Sequence, residues 1–198
     1  MLNDRLKSFK IILASASPRR QSFFQEMGLD FEVRIKPVEE VYPQELKANQ
    51  ISDYLAVLKA SGFTGTLKTK EILITSDTVV WHKNESLAKA ADANEAFDML
   101  RKLSGDWHEV ITSVCFTTLT WQKVVQQITK VKFKSLTDAE INYYIAHYKP
   151  FDKAGAYGIQ EWIGLIGIEE IQGSYTNVVG LPTQLVYTTL VQMCEQVD

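Results

Sequence analysis

Three groups of residues in this chain have the types and spacing to act on an anion rich in oxygens. The first is S-A-S-P-R-R at residues 15–20, which sets Ser15, Ser17 and the adjacent guanidinium groups of Arg19 and Arg20 close together. Ser17 is an N-cap residue type, and Pro18 suits the first helical position, where its missing N–H costs nothing. The arginines therefore fall in the first turn of a helix, an end that already carries partial positive charge and open N–H groups. A polyphosphate would match such an end. A solvated turn whose arginines pair with carboxylates would match it too, and the local pattern, neither a P-loop nor a Rossmann glycine motif, leaves both readings open.

The second group centres on Asp77, in E-I-L-I-T-S-D-T-V-V at residues 71–80, with Thr78 directly after it. Ligands of open α/β sheets gather beyond the carboxyl ends of strands, so an aspartate there is a site candidate, although aspartate is also a common turn residue. Glu39 and Glu40 form a carboxylate pair just past Pro37. They suit either a metal ion or a solvated loop, and by themselves the loop is favoured. The third group is K-P-F-D-K-A-G-A-Y-G-I-Q at residues 149–160. Gly155 and Gly158 frame Tyr157, as in a ligand-hugging backbone or a plain tight turn. Gln160 offers a donor and an acceptor, suited to the edge of a nucleobase.

The elements that must position these groups follow from periodicity. Residues 11–13 read as a buried strand, and the helix after them carries Phe23, Phe24 and Met27 on its apolar side before Gly28. Phe31, Val33 and Ile35 alternate as a strand with one buried face. Residues 45–61 read as a helix through Ile51, Leu55 and Leu58, with Lys59 favourably placed near its C-terminal end. The continuous run Ile72, Leu73, Ile74 predicts an interior strand covered on both faces. A turn follows within 81–87, where His82 reads as a surface residue. Asp92 or Asn94 caps a helix that buries Ala96, Met99, Leu100 and Leu103.

Residues 108–120 and 123–133 predict an antiparallel hairpin, with Val131 and Phe133 facing away from a solvated row of Lys130, Lys132 and Lys134. Thr137 and Glu140 form a capping box for a helix reaching His147. Residues 162–171 read as a further strand and 182–196 as a closing helix. Strand and helix alternate in the first half and a hairpin enters later. The expectation is an α/β fold over residues 1–198 as one domain: a mixed β-sheet flanked by helices, with two lobes and a central cleft.

Composition narrows the classes. The chain has 198 residues, 45% of them hydrophobic and 23% charged, as in ordinary globular proteins. A net charge of −3 argues against a nucleic-acid partner but not against a site built from a few placed cations. The two cysteines, Cys115 and Cys194, lack metal-ligand spacing and read as buried thiols, and the three histidines are scattered. No signal peptide precedes the first strand and no apolar run approaches ~18 residues, so a cytoplasmic chain without a membrane partner is expected.

The ordered set S-A-S-P-R-R, S-D-T at 76–78, R-K-L-S-G at 101–105, D-K-A-G-A-Y-G-I-Q at 152–160 and V-V-G-L-P at 178–182 resembles the Maf family of nucleoside triphosphate pyrophosphatases. The resemblance implies hydrolysis between the α and β phosphates, with Asp77 catalytic. It implies that Ser15, Arg19, Arg20, Lys59, Thr78, Lys89, Asp152, Lys153 and Gln160 bind substrate, and that Glu39, Glu40 and Asp77 hold a divalent cation, Mg²⁺ or Mn²⁺. Lys59 sits in the matching L-A-V-L-K-A context. The 152–160 segment resembles the subgroup acting on dTTP and UTP, with 7-methyl-GTP or another modified nucleotide as the rival substrate.

The family name further suggests sanitising of modified nucleotides and a restraint on cell division. A nucleotide-binding regulator with little turnover is the rival of a different class, against which retention of the aspartate, lysines and arginines weighs. Homodimers are common in the family, while no stretch of this sequence marks an interface. Four departures stand out. Pro37 replaces the first acidic residue of the family's cluster, Thr75–Ser76 stand where G-A is usual before the aspartate, Ala90 follows Lys89 in place of proline, and Glu161 replaces the glycine after Gln160.

Overall fold

A computed structural model describes residues 2–195 of the chain. In chain order the elements are α1 (Leu2–Leu6), β1 (Lys10–Leu13), α2 (Pro18–Glu26), β2 (Phe31–Val33), α3 (Asn49–Ser61), β3 (Glu71–His82), β4 (Glu85–Leu87) and α4 (Ala93–Leu103). Then come β5 (Trp107–Thr117), β6 (Gln122–Phe133), α5 (Asp138–Tyr148), α6 (Trp162–Gly167), β7 (Ile168–Gln172), α7 (Tyr175–Val179) and α8 (Thr183–Glu195). The strands form one mixed seven-stranded sheet in the order β2-β1-β3-β5-β6-β7, with β4 on β3. The chain divides into two compact units, Met1–Asp77 with Thr112–Gln127 and Gly180–Asp198, and Thr78–Ile111 with Ile128–Val179.

In the first unit β1 runs parallel to β2 and to β3, Ile11 lying opposite Phe31 on one side and Ile72 on the other. Alternation sorts the side chains onto two faces. Ile11, Leu13, Ile72, Ile74, Val114 and Phe116 pack with Phe24 of α2 and with Val186 and Leu190 of α8. Ile12, Leu73 and Cys115 pack with Ala56 and Ala60 of α3 and with Phe63. Both faces are thus covered, which is why the strand sequence is apolar without a break. Each fully buried Ile or Leu contributes about 1.5–3 kcal/mol to this sandwich.

In the second unit the β3–β4 hairpin sets Val80 opposite Leu87. Its two turn residues, Lys83 and Asn84, both adopt positive φ (45° and 67°), as the twist of a two-residue hairpin requires. Asp92 caps α4 by accepting from the N–H groups of Asn94 and Glu95, and Thr137 and Glu140 cap α5 reciprocally. The core joins Val80, Leu100, Leu103, Val131, Phe133, Tyr144 and Ile163.

Several expectations change. Residues 162–171 are not one strand: Trp162–Gly167 forms α6 and only then does β7 begin, because a helical turn sets Trp162, Ile163 and Ile166 on the core and leaves Leu165 exposed. The helix predicted over 45–61 starts at Asn49 after Ala48, whose φ of 48° breaks it from the preceding residues. The strand at Phe31 ends at Val33, and Val33 and Ile35 are 39% and 58% exposed, so of the expected buried face only Phe31 packs on the core, edge-on to Phe24. His82 is 5% exposed and paired with Asp106 at 3.1 Å, not a surface residue. Ser17 occupies the N-cap of α2 without a side-chain cap bond. The short α1 had no periodic signal, and Gln196, the expected end of the last helix, lies outside the described residues. The hairpin, both capping motifs and the buried thiols stand as expected. No helix among the described residues is long and apolar enough to cross a membrane.

Gly155 has a φ of +67°, and a β-carbon there would lie 2.9 Å from Cγ1 of Val80. Gly155→Ala should combine left-handed strain with overpacking and cost about 2–4 kcal/mol, read as a lowered denaturant midpoint with an unchanged m-value.

Candidate active site

Two elements of the first unit bring a carboxylate and an ammonium together. Asp77 follows the apolar run of β3 and is 7% exposed; Lys59 lies in the last turn of α3. The hydroxyl of Thr75 donates to the carbonyl of Ala56 at 2.7 Å, fixing this part of β3 on α3. The Lys59 ammonium then stands 2.6 Å from Oδ1 of Asp77 and 3.1 Å from Oε1 of Glu40. Burial pushes the Asp77 carboxyl above the usual aspartate range, while Lys59 and, more weakly, Arg20 pull it back. A carboxylate held in this balance can accept a proton more readily than an exposed one.

Arg20 of α2 reaches the same place through backbone. Its Nε donates to the carbonyl of Gly180 and its Nη1 to the carbonyl of Ser76, both at 2.9 Å. The guanidinium is thereby anchored beside Asp77. Ser15 is buried; its Oγ accepts from the N–H of Ser17 at 3.2 Å, and its carbonyl accepts from Gln21 at 3.0 Å. The 15–20 loop is thus held by its own side chains, with Arg19 half-buried in the first turn. Glu39 is exposed and makes no side-chain contact to this group among the described residues, so Glu40 alone of the acidic pair reaches it. No three His, Cys, Asp or Glu side chains gather as a metal-binding group among the described residues. Two carboxylates, Glu40 and Asp77, do converge on one cationic atom, the Nζ of Lys59.

The second unit holds the other predicted residues. Lys89 is exposed, and its backbone bridges antiparallel to Ala154. The N–H of Gly155 points at the carbonyls of Leu87 and Ala88, at 2.9 and 3.1 Å. The segment after β4 and the 152–160 loop are therefore stitched together, which places Lys89 beside Asp152 and Lys153 along one edge. Lys153 is 8% exposed, its Nζ 2.8 Å from Asp152 and 3.1 Å from Glu161. Its charge is taken up by these carboxylates, so it braces the loop. Gln160 is exposed, and half-buried Thr78 follows Asp77 directly.

Contacts invisible in the sequence hold this loop from behind. Tyr157 meets Nε2 of His108 at 2.7 Å, in a ring cluster with Phe133. Burial lowers the His108 pKa to about 3, so the imidazole is neutral there. The hydroxyl of Tyr144 accepts from the N–H of Gly158 at 2.9 Å and donates to Glu161. The sequence marks Tyr144 only as one of several aromatics on α5, and nothing in its spacing signals a partner fourteen residues on.

The chain is similar to proteins already known. A family model described as "Maf-like protein" matches residues 10–193. A Flavobacterium johnsoniae protein named dTTP/UTP pyrophosphatase is 58% identical over 194 residues, covering 96% of this chain and 100% of the relative. A Flavobacterium psychrophilum protein of the same name is 59% identical, covering 96% and 97%. Among solved structures, the Staphylococcus aureus Ham1 protein is similar in fold, with a TM-score of 0.55 at 16% identity, covering 93% of this chain and 99% of that one.

In the ligand-free protein, a carboxyl ¹³C titration should place the Asp77 midpoint above the ordinary value of about 3.9, and Lys59→Met should raise it further. The Oγ of Ser76 is buried with no hydrogen-bond partner among the described residues. Ser76→Ala should therefore stabilise the chain by about 1 kcal/mol, measured by chemical denaturation.

Proposed function

The chain belongs to the Maf family, and on that premise we propose that it hydrolyses dTTP and UTP to the nucleoside monophosphate and pyrophosphate. The observation that carries this reading is the nearly buried Asp77 carboxylate gripped at 2.6 Å by Lys59 beside a backbone-anchored Arg20. A general base and fixed positive charges are what phosphoanhydride hydrolysis needs. Curated relatives named dTTP/UTP pyrophosphatase, 58% and 59% identical, support the choice of substrate.

Each residue then has a role set by its position. Asp77 accepts the proton of the attacking water, aided by the raised basicity that burial gives it. Water adds across the α–β anhydride: a new P–O bond forms to the water oxygen, the bridging P–O bond breaks, and pyrophosphate departs. Ser15, Arg19, Arg20, Lys59 and Lys89 hold the triphosphate oxygens, with N–H groups of the α2 end. Because the guanidinium of Arg20 is fixed by two carbonyls, it need not reorganise as charge develops.

Thr78 and Gln160 read the base, with Asp152 and Lys153 shaping the loop that presents Gln160. Glu40 and Asp77, which already converge on a cationic group, with Glu39 next in the chain, suit the oxygen coordination of a divalent cation. Mg²⁺ or Mn²⁺, when bound, would neutralise phosphate charge and lower the pKa of its water.

Pyrophosphate release from dTTP, UTP, CTP and 7-methyl-GTP, with Mg²⁺ or Mn²⁺, tests the proposal. Turnover should be fastest with dTTP and UTP, and Asp77→Asn should lower kcat by ~10²–10⁴-fold while nucleotide still binds. Faster release from 7-methyl-GTP would overturn the base assignment and leave the chemistry. No release from any of the four would overturn the activity.

A further inference from the structure

Glu161 occupies the N-cap position of α6, yet its carboxylate makes no bond to that helix end. It turns back instead. Oε2 accepts from the hydroxyl of the wholly buried Tyr144, and Oε1 lies 3.1 Å from Nζ of Lys153. The Tyr144 hydroxyl in turn accepts from the N–H of Gly158. One carboxylate therefore ties together α5, the start of the 152–160 loop and its end.

Shape tells the same story. A β-carbon on Gly158 would stand 2.8 Å from Cδ of Glu161 and 3.0 Å from Nε2 of Gln160. The bare Cα of Gly158 is thus flanked by the side chains of both Glu161 and the exposed Gln160. The pair with Lys153 joins side chains only 10% and 20% exposed, so it is screened far less than an ion pair in open water. Burial and the carboxylate keep the Tyr144 phenol protonated far above its ordinary range, so the donor to Glu161 persists at all physiological pH.

We infer that Glu161 is a positioning residue for base recognition, its carboxylate holding the 152–160 loop so that the Gln160 amide stands ready for a pyrimidine edge. This rests on the reading of that loop as the base-recognising segment. A glycine at position 161, as in the family pattern, would leave the Tyr144 hydroxyl without this acceptor and Lys153 with the exposed Asp152 alone. Pre-set geometry lowers the ordering cost of binding, so its loss falls on affinity and discrimination and not on the chemical step.

The test compares the parent chain with Glu161→Gly and Glu161→Gln, taking KM and kcat for dTTP, UTP and CTP together with amide exchange at Gly158. Glu161→Gly should raise KM for dTTP and UTP about tenfold with kcat within about threefold, as expected for lost binding alone. It should also narrow the preference for dTTP over CTP and speed exchange at Gly158. Glu161→Gln, which can still accept from Tyr144, should restore most of both. If Glu161→Gly fails to fold, Tyr144→Phe keeps the ring and removes the link, and should shift KM and exchange in the same direction.

Folded variants with the parent's KM, nucleotide preference and Gly158 exchange would overturn the inference, as would an equal fall in kcat for every nucleotide at unchanged KM. A parent that releases no pyrophosphate from dTTP or UTP overturns the base reading itself. A working parent with indifferent variants overturns only the role of Glu161.

Discussion

The ion pair between Lys59 and Asp77 is the constraint that the first unit is built to satisfy. A carboxylate this buried is costly to ionise unless a cation meets it, and a cation on a helix end is useful only if that helix is fixed against the strand. The two-faced packing of β1 and β3 provides the fixing: Leu73 and Ile12 hold α3 on one side while Ile72 and Ile74 hold α2 and α8 on the other. The Thr75 hydroxyl then pins the register of α3 along β3 to within a hydrogen bond. The polar site begins where the apolar run of β3 stops.

Much of this was legible in the chain. The run Ile72–Leu73–Ile74 predicts an interior strand, as observed, but Asp77, expected at the strand's end, lies inside it, because β3 continues through Val79 and Val80 to His82. Pro18 marks a helix start because it brings no N–H that needs a partner, and the Thr137–Glu140 box and the Asp92 cap because each satisfies N–H groups locally, within three residues. Illegible were the ties made across long separations. Arg20 finds Gly180 160 residues away, and Tyr144 finds Gly158 and Glu161 through packing alone. His82 read as solvated because its partner Asp106 lies in the bend before β5, not in its own turn.

Residues 162–171 misled for a related reason. Apolar residues with interspersed glycines carry no decisive period, and the choice between strand and helix is made by what they pack on. The aromatic wall of α5 gives Trp162 a helical docking face: its ring lies 4.7 Å from that of Tyr143. The departures from the family pattern behave differently from one another. Ala90 is buried where proline is usual, and the backbone bridge of Lys89 to Ala154 keeps the neighbouring lysine in place without it. Ser76 adds a buried hydroxyl beside Asp77, whereas Glu161 adds a charge that three other residues organise around.

The grip of Arg20 on the carbonyl of Gly180 carries a consequence for how the protein comes into being. A ribosome delivers Arg20, Lys59 and Asp77 early, but Gly180 is made 160 residues after Arg20, and the α8 that covers the first strands follows it. Until that segment leaves the exit tunnel, the arginine lacks one of its two anchors and one face of the early sheet stays wet. Of these two anchors, the nascent polypeptide therefore holds Arg20 by the Ser76 carbonyl alone until Gly180 has been made.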